Sequence, residues 1–198
     1  MMSSHMALQY ASKIMPKLVL LVLISASPAF ATEPSFAPRK SPEFTISESS
    51  GKSILLSSLR GKVVVIEFFF LQSNHCIHVA KMLNKLNMEM GARGFQALGV
   101  VFDPPNIPNS GGQIVGPAVE FFKLTYPVGY SSKAEVDRYL ERKQQQILNI
   151  PQIIVIDRAG MIRATSGAAG GDPRLEDENS LRTLVEGLLR ERISTLSK

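Results

Sequence analysis

Residues 63–76 read VVVIEFFFLQSNHC, and this stretch decides the fold. Its first part, Val63 to Phe70, is a near-continuous run of β-branched and aromatic residues, which is typical of a central strand buried on both faces. From about Ser73 the apolar residues follow helical spacing; they are Val79, Met82, Leu83, Leu86 and Met90. Gly91 is positioned to end this helix. The sequence therefore predicts a buried strand that leads directly into an amphipathic helix.

The segments on either side of this unit predict further strands. Phe95 to Phe102 is the next apolar run and predicts a second strand. The helix between the two strands then makes a βαβ unit, with parallel strands and a right-handed crossover. Before the unit, residues 44–59 alternate loosely around a Ser-Ser-Gly-Lys turn and predict a β-hairpin.

A loop rich in Pro, Asn and Gly is expected at 103–116, after the second strand, and a helical insertion follows it. Pro117 suits the first position of a short helix that ends at Leu124. Ser132 and Glu135 have the spacing of a capping box, which predicts another helix through about Arg142.

The last third of the chain predicts two strands and a helix. Ile153 to Asp157 is expected to be a third strand, and Met161 to Thr165 an antiparallel fourth strand after a tight turn. Apolar residues at helical spacing between Leu181 and Ile193 predict a final amphipathic helix. The order hairpin, strand, helix, strand, helical insertion, two strands, helix is that of an α/β sandwich.

The first 31 residues have the order of a secretory signal peptide. Lys13 and Lys17 precede an apolar run from Leu18 to Ile24, and small residues follow up to Ala31. The run is about half as long as a membrane-spanning helix, so we expect cleavage after Ala31 and a periplasmic or secreted protein. Contact with a membrane is expected only if this segment stays uncleaved.

The rest of the chain has the composition of one globular domain. Residues 32–42, with three prolines, are expected to be a flexible lead-in to a domain at 43–198. The formal net charge is +5, and loss of the signal segment would lower it by two. This charge is small and scattered, so we expect no nucleic-acid partner.

Cys76 is the only cysteine of the chain. Cysteines of exported proteins ordinarily form disulfides, but Cys76 has no partner within the chain. Redox chemistry at this residue would therefore need an exported thiol-containing protein or a small oxidant as partner. No cofactor is expected.

The order of three motifs resembles the thioredoxin-like redoxins of the TlpA and AhpC/TSA superfamily. Residues 61–68 are similar to the family's lead-in strand, residues 73–76 stand at its Cys-x-x-Cys motif, and residues 149–157 are similar to its cis-proline strand. The resemblance implies a three-layer sandwich around a central mixed sheet, a cis peptide before Pro151, and a substrate groove at Ile150 and Pro151. It also implies thiol oxidoreductase or antioxidant activity.

The motif departs from the family pattern at its first position. Ser73 stands where the nucleophilic cysteine belongs, and Cys76 matches the resolving position. A serine hydroxyl cannot replace a thiolate in disulfide exchange, so the ordinary dithiol cycle is excluded. Glu67 matches the buried acid of thioredoxins and is a candidate proton partner of Cys76; the alternative is an edge-exposed charge.

Three hypotheses for Cys76 stay open. In the first it is a reactive single thiol for monothiol exchange or weak peroxide reduction, assisted by the helix N-terminus, Ser73 and the flanking His75 and His78. The peroxiredoxin pattern is incomplete, because Phe69 and Pro151 replace its proline and arginine. In the second, a copper or zinc ion is held by His75, Cys76 and His78. In the third, Cys76 is a buried apolar residue, and a non-catalytic protein presents the Pro151 groove to a partner.

Overall fold

The computed structural model describes residues 37–102, 111–143, 147–166 and 171–191. The expected signal segment and most of the loop expected at 103–116 lie outside these residues. The described strands are β1 Arg39–Lys40, β2 Thr45–Glu48, β3 Ser53–Leu55, β4 Val63–Phe69, β5 Phe95–Val101, β6 Val128–Tyr130, β7 Gln152–Ile156 and β8 Met161–Thr165. The described α-helices are α1 Asn74–Met90, α2 Gly111–Phe122, α3 Lys133–Tyr139 and α4 Glu178–Arg190.

These strands form one mixed sheet in the order β1-β8-β7-β4-β5-β6-β2-β3. The expected buried strand is β4, which pairs in parallel with β5 and antiparallel with β7. All seven of its residues are buried, as its apolar sequence predicts. The expected hairpin is formed by β2 and β3, and the expected antiparallel pair by β7 and β8.

Two apolar cores cover the two faces of the sheet. Successive residues of a strand point to opposite faces, so Val65 and Phe69 of β4 lie in one core while Ile66 and Phe68 lie in the other. The first core contains the buried faces of α1 and α4, and the second contains those of β2 and α3. The fold is therefore the thioredoxin-like α/β sandwich that the motifs implied.

The helical insertion differs from the expectation in three ways. It contains a strand, β6, which joins β5 and β2 in the sheet. Helix α2 begins at Gly111, within the expected loop, so Pro117 lies inside the helix and not at its first position. This proline is exposed. Helix α3 has the expected capping box but ends at Tyr139, because Glu141 has a left-handed φ of 53°.

The end of α1 also differs in one detail. The helix stops at Met90 as expected, but Gly91 keeps right-handed helical angles and starts a 3-10 turn at Gly91–Arg93. The left-handed residue that turns the chain towards β5 is Gly94, with φ 97°. Glycine is favoured there because a side chain is disfavoured at such an angle.

The lead-in is tied to the sheet at its end. Arg39 and Lys40 form β1 and pair with Ile162 and Met161 of β8. The Ser41 N–H donates to the Gly160 carbonyl oxygen at 3.0 Å. The flexible segment expected at 32–42 therefore does not include its last residues. Among the described helices, none has the length and hydrophobicity needed to cross a membrane.

Candidate active site

Cys76 lies in the first turn of α1, directly beyond the carboxyl end of β4. Ser73 is the N-cap of the helix, and its Oγ accepts a hydrogen bond from the Cys76 backbone N–H at 3.3 Å. This bond satisfies one of the free N–H groups that every helix N-terminus presents. The Cys76 side chain is fully buried, with 0% exposure.

The surroundings of Cys76 favour the protonated thiol. Burial raises the pKa of the Cys76 thiol above its ordinary value, and the Glu67 charge acts in the same direction. Hydrogen bonding by the Ser73 side chain and the Phe70 backbone only partly offsets the effect of burial. The thiol is therefore a weaker nucleophile at neutral pH than an exposed cysteine at a helix N-terminus.

Glu67 is buried in the middle of the sheet. It lies in β4 opposite Gly99 of β5 and Ile153 of β7, and its exposure is 0%. By strand alternation it points to the same face as Val65 and Phe69, which is the face that α1 covers. Glu67 is therefore not the edge-exposed charge of the alternative hypothesis, because β4 has a hydrogen-bonded neighbour on each side.

The Glu67 carboxyl is without a hydrogen-bond partner for either oxygen among the residues that the structure describes. Burial raises the pKa of Glu67 well above its ordinary value, and the Glu176 charge raises it further. A carboxylate in such surroundings is costly, so the neutral carboxylic acid is favoured. The site therefore contains a buried proton donor beside a buried thiol.

Tyr126 is a buried member of the site that sequence patterns did not identify. Its hydroxyl donates to the Ala80 carbonyl oxygen of α1 at 3.4 Å. Burial raises the pKa of Tyr126 well above its ordinary value, and the Glu67 charge adds to this rise. Tyr126 follows α2 in a short connection without periodicity, so no local pattern marks it.

The cis peptide expected between Ile150 and Pro151 is present. Pro151 is buried, and Ile150 packs against both apolar cores. Ser166 fixes the start of β7: its Oγ accepts from the Ile153 N–H at 2.8 Å, and its own N–H donates to the Ile153 carbonyl oxygen at 2.9 Å. The Ser166 contact spans the turn between β7 and β8 and was not expected from the sequence.

His75 of the motif and the nearby His78 are both exposed, in contrast to Cys76. The Nε2 of His75 lies 2.6 Å from Oε2 of Glu176, a residue of the 3-10 turn Pro173–Glu176 that precedes α4. Within the described ranges, no group of three or more His, Cys, Asp or Glu side chains is placed to hold a metal ion.

A pocket of about 460 Å³ lies at the other end of β4, away from the thiol. Its floor is apolar and contains Leu56, Val64 and Ile156, while Lys40 and Arg60 lie among its polar lining residues. Its size is that of a small-molecule pocket. Since Val64 lies near the start of β4 and Cys76 follows the end of this strand, the pocket is not part of the thiol site.

Comparison with known proteins agrees with this arrangement of strand, thiol helix and cis-proline. Residues 38–165 match the model of the AhpC/TSA family. No curated protein sequence matches the chain.

Solved structures of similar fold include several disulfide-exchange proteins. A thiol:disulfide interchange protein from a Bacteroides species is 26% identical, with a TM-score of 0.59 over 77% of this chain and 93% of that one. The thioredoxin domain of a thiol-disulfide oxidoreductase from Bacteroides vulgatus is 25% identical, with a TM-score of 0.57 over 76% and 99%. A thioredoxin family interchange protein from Chlorobium tepidum has a TM-score of 0.62 at 21% identity over 78% and 98%, which concerns the fold alone.

Proposed function

Because the chain belongs to the AhpC/TSA family and has the fold of thioredoxin-like thiol-disulfide oxidoreductases, we propose that it is an exported oxidoreductase that works through the single thiol of Cys76. The reaction is monothiol exchange with a disulfide of another exported protein. The observation that carries the proposal is the unpartnered, buried carboxyl of Glu67 on the face of the sheet that Cys76 and α1 cover.

The exchange has two steps. The Cys76 thiolate attacks one sulfur of the partner's disulfide, so that a mixed disulfide forms and the other sulfur leaves as a thiolate. An external thiolate then attacks the mixed disulfide and releases Cys76. One disulfide is exchanged for another, without net gain or loss of electrons.

Glu67 supports this reaction by moving the proton. Both the Cys76 thiol and the Glu67 carboxyl have raised pKa values, mainly because both are buried. When Cys76 loses its proton, Glu67 in its ionised form is the acceptor; when the thiolate leaves the mixed disulfide, the neutral acid returns the proton. Burial makes ionised Glu67 a stronger base than an exposed carboxylate, which favours its acceptance of the Cys76 proton.

The segment around the cis-proline supplies the edge to which the partner protein binds. Pro151 directly precedes β7, the neighbouring Ile150 packs against the apolar core that contains Cys76, and Ser166 holds the backbone at Ile153. We propose that Ile150 and Pro151 align the partner's backbone next to Cys76. This edge does not depend on the residue at position 73.

The reactivity of Cys76 and the role of Ser73 test the proposal together. Iodoacetamide labelling of wild type across pH is expected to modify Cys76 slowly at neutral pH and faster as the thiolate forms, with Cys76→Ser as the blank. Ser73→Cys is expected to restore a dithiol and measurable insulin reduction, because it returns the missing nucleophile to the N-cap. A variant that forms the 73–76 disulfide and still fails to reduce insulin would contradict the assigned roles.

A second candidate function is favoured by the full burial of Cys76. A shielded thiol with a raised pKa suits a non-catalytic member of the family that binds a partner protein along the Pro151 edge. In that case Cys76 stays inert to iodoacetamide even at alkaline pH, and Cys76→Ser binds the partner as well as wild type does. Trapping of a mixed disulfide between Cys76 and an exported protein would support monothiol exchange over non-catalytic binding.

The same thiol could also reduce a small oxidant such as a peroxide, and we expect this reaction to be slow. The Cys76 thiolate would attack a peroxide oxygen and form a sulfenic acid, while the second oxygen leaves with a proton from Glu67. An external thiol would restore Cys76 by way of a mixed disulfide. A rate of peroxide consumption that exceeds the rate of disulfide exchange would show that peroxide is the main substrate.

Export is part of the proposal and follows from the signal-type order of residues 1–31. The chemistry agrees with it, because disulfide partners for a single thiol are plentiful in oxidising compartments. N-terminal sequencing of the protein from periplasm or medium is expected to begin at Thr32. A first residue within the apolar run, or a protein retained in the membrane fraction, would contradict cleavage after Ala31.

A further inference from the structure

The pocket at the start of β4 has no part in the thiol chemistry. Its volume is about 460 Å³, and three segments form its walls: residues 40–43, the 3-10 turn Leu56–Leu59 and the turn between β7 and β8. Its apolar floor belongs to the second core and consists of Leu56, Val64 and Ile156. A cavity of this size with an apolar floor can accept the apolar part of a small molecule.

Arg60 is held at the rim of this pocket by the turn between β7 and β8. Its Nη1 donates to the Ala159 carbonyl oxygen at 2.8 Å. The guanidinium also lies over Gly160, so closely that a Cβ at this glycine would stand 0.6 Å from the same nitrogen. The next residue, Gly61, donates its N–H to the Arg158 carbonyl oxygen at 2.9 Å, which ties the backbone to the same turn. The Arg60 side chain is therefore positioned before any ligand binds.

The two acidic side chains that line the pocket have partners of their own. Glu43 Oε1 accepts from the backbone N–H groups of Phe44 and Ser57, both at 3.0 Å. Asp157 accepts from the backbone N–H groups two and four residues later, and it forms an ion pair with Arg163 at 3.2 Å. Both carboxylates are therefore engaged in holding the walls of the pocket.

The two cationic side chains that line the pocket have donors to spare. The contact with Ala159 is the one hydrogen bond of the Arg60 side chain within the described ranges, and a guanidinium has five N–H donors. Lys40 is exposed on the same rim, and its ammonium group has no ion-pair or hydrogen-bond partner among the described residues. Since a guanidinium is always charged in proteins, the rim presents positive charge and free donors to a ligand.

We propose that this pocket binds a small carboxylate with an apolar body, whose charged group is held by Arg60 and Lys40 while its body covers the apolar floor. The two oxygens of a carboxylate match the fork of a guanidinium, and such charge-assisted hydrogen bonds are stronger than neutral ones. The apolar body gains free energy by leaving water. The inference does not rest on the proposed function, because the thiol lies beyond the other end of β4.

The first test compares octanoate, octanol, octylamine and acetate as probes of the wild-type protein. NMR of the isotope-labelled protein follows the backbone amides of Ser57 and Gly160, which line the pocket, with the Ile77 amide of α1 as an internal reference. Octanoate is expected to shift the pocket amides with a Kd of about 1 mM. Octanol lacks the charge and acetate lacks the apolar body, so each should bind at least about tenfold more weakly. Octylamine carries the wrong charge and should leave these amides unshifted.

Three variants test the assigned side chains. Arg60→Met keeps an apolar stem over Gly160 and removes the guanidinium, so it is expected to weaken octanoate binding about tenfold, to the level of octanol. Lys40→Met removes a single point charge and is expected to weaken binding about threefold. Arg174→Met is the matched control, because Arg174 is 79% exposed and does not line this pocket. It should bind octanoate as wild type does.

Several results would overturn the inference. Equal binding of octanoate and octanol would show that no cation holds the ligand, and unchanged affinity in Arg60→Met would remove the assigned role of the guanidinium. Shifts confined to amides outside the pocket, or no shifts at about 10 mM octanoate, would refute the site itself. If Arg60→Met fails to fold, the comparison of probes in wild type and the affinity of Lys40→Met still decide the question. The titration needs no disulfide substrate, so a failure of thiol exchange leaves it intact.

Discussion

Glu67 combines full burial with the absence of a hydrogen-bond partner for its carboxyl among the described residues. A buried carboxyl of this kind costs stability when it ionises, because water solvates the charge in the unfolded chain and no hydrogen-bond donor among the described residues replaces water in the folded one. Its retention in a strand of valines, isoleucine and phenylalanines therefore indicates use in chemistry rather than in folding.

Glu67→Gln is expected to remove a pH dependence of stability. The folded pKa of Glu67 is raised, mainly by burial, so above the unfolded value of about 4.3 the unfolded chain binds fewer protons. Wild-type stability therefore falls as pH rises from that value towards the folded pKa. The decrease in Tm between about pH 5 and pH 8 should be smaller in Glu67→Gln.

Carboxyl groups with a lowered pKa do not contribute to the change in Tm between about pH 5 and pH 8. Hydrogen bonds lower the pKa of Glu135 and Asp177, and their contributions are present above the unfolded carboxyl pKa and lost only as pH falls. Equal pH dependence of Tm in wild type and Glu67→Gln would show that Glu67 is ionised throughout.

The residues of the site differ in how far sequence could predict them. Ser73, Cys76 and Glu67 lie within ten positions of one strand-to-helix unit, so their relative placement follows from local structure. Glu176 lies 101 positions from His75 along the chain, and only the packing of α4 against α1 brings them together. No periodicity or motif in a single sequence contains that information.

At the scale of elements, β6 shows where sequence reasoning failed. Val128, Gly129 and Tyr130 form too short a run to give a period, and they follow a proline. Their strand conformation comes from pairing with β5 on one side and β2 on the other. The long strand β4 and helix α1 were predicted because each has enough residues to show its own period.

Gly129→Ala is expected to separate β6 from β2. A Cβ at this position would lie 2.5 Å from the Ser47 carbonyl oxygen and 2.6 Å from a methyl carbon of Ile46. Because one of these atoms belongs to the backbone, a strand must move, at a cost of about 2 kcal/mol or more in the free energy of unfolding. Denaturant unfolding of the variant measures this loss.

Gly91→Ala is the matched control for that substitution. Gly91 has right-handed helical angles, and a Cβ there would meet nothing within 4 Å. The change is expected to be neutral or to stabilise by up to about 1 kcal/mol, since alanine restricts the unfolded chain. Similar losses in the two variants would contradict steric exclusion at Gly129.

At the scale of the whole molecule, the segment before the hairpin is hydrogen-bonded to the second apolar core, which contains Phe44, Phe68 and Tyr139. Ser41 Oγ and the Tyr139 hydroxyl lie 3.0 Å apart in a buried contact, and Tyr139 packs against Phe44 and Phe68. Burial raises the pKa of Tyr139 to about 12, so its hydroxyl stays neutral and can donate at ordinary pH. The segment before the hairpin is thereby joined to α3 on the face opposite the thiol.

Tyr139→Phe is expected to lower the free energy of unfolding by about 1 kcal/mol through loss of this hydrogen bond. Hydrogen exchange of the Ser41 amide, which bonds to Gly160, should accelerate because the lead-in opens more often. A double-mutant cycle with Ser41→Ala isolates the contact. Additive effects in the cycle would show that the two hydroxyls do not stabilise each other.

Both outermost strands of the sheet are short, since β1 has two residues and β3 has three. Each therefore offers another chain only a few free backbone groups for intermolecular β-pairing. Removal of the N-terminal residues up to and including Lys40 would make the five-residue β8 the new edge strand. Such a protein would present a longer template for fibril growth. By pairing with β8, the two residues of β1 therefore reduce the tendency of the chain to polymerise.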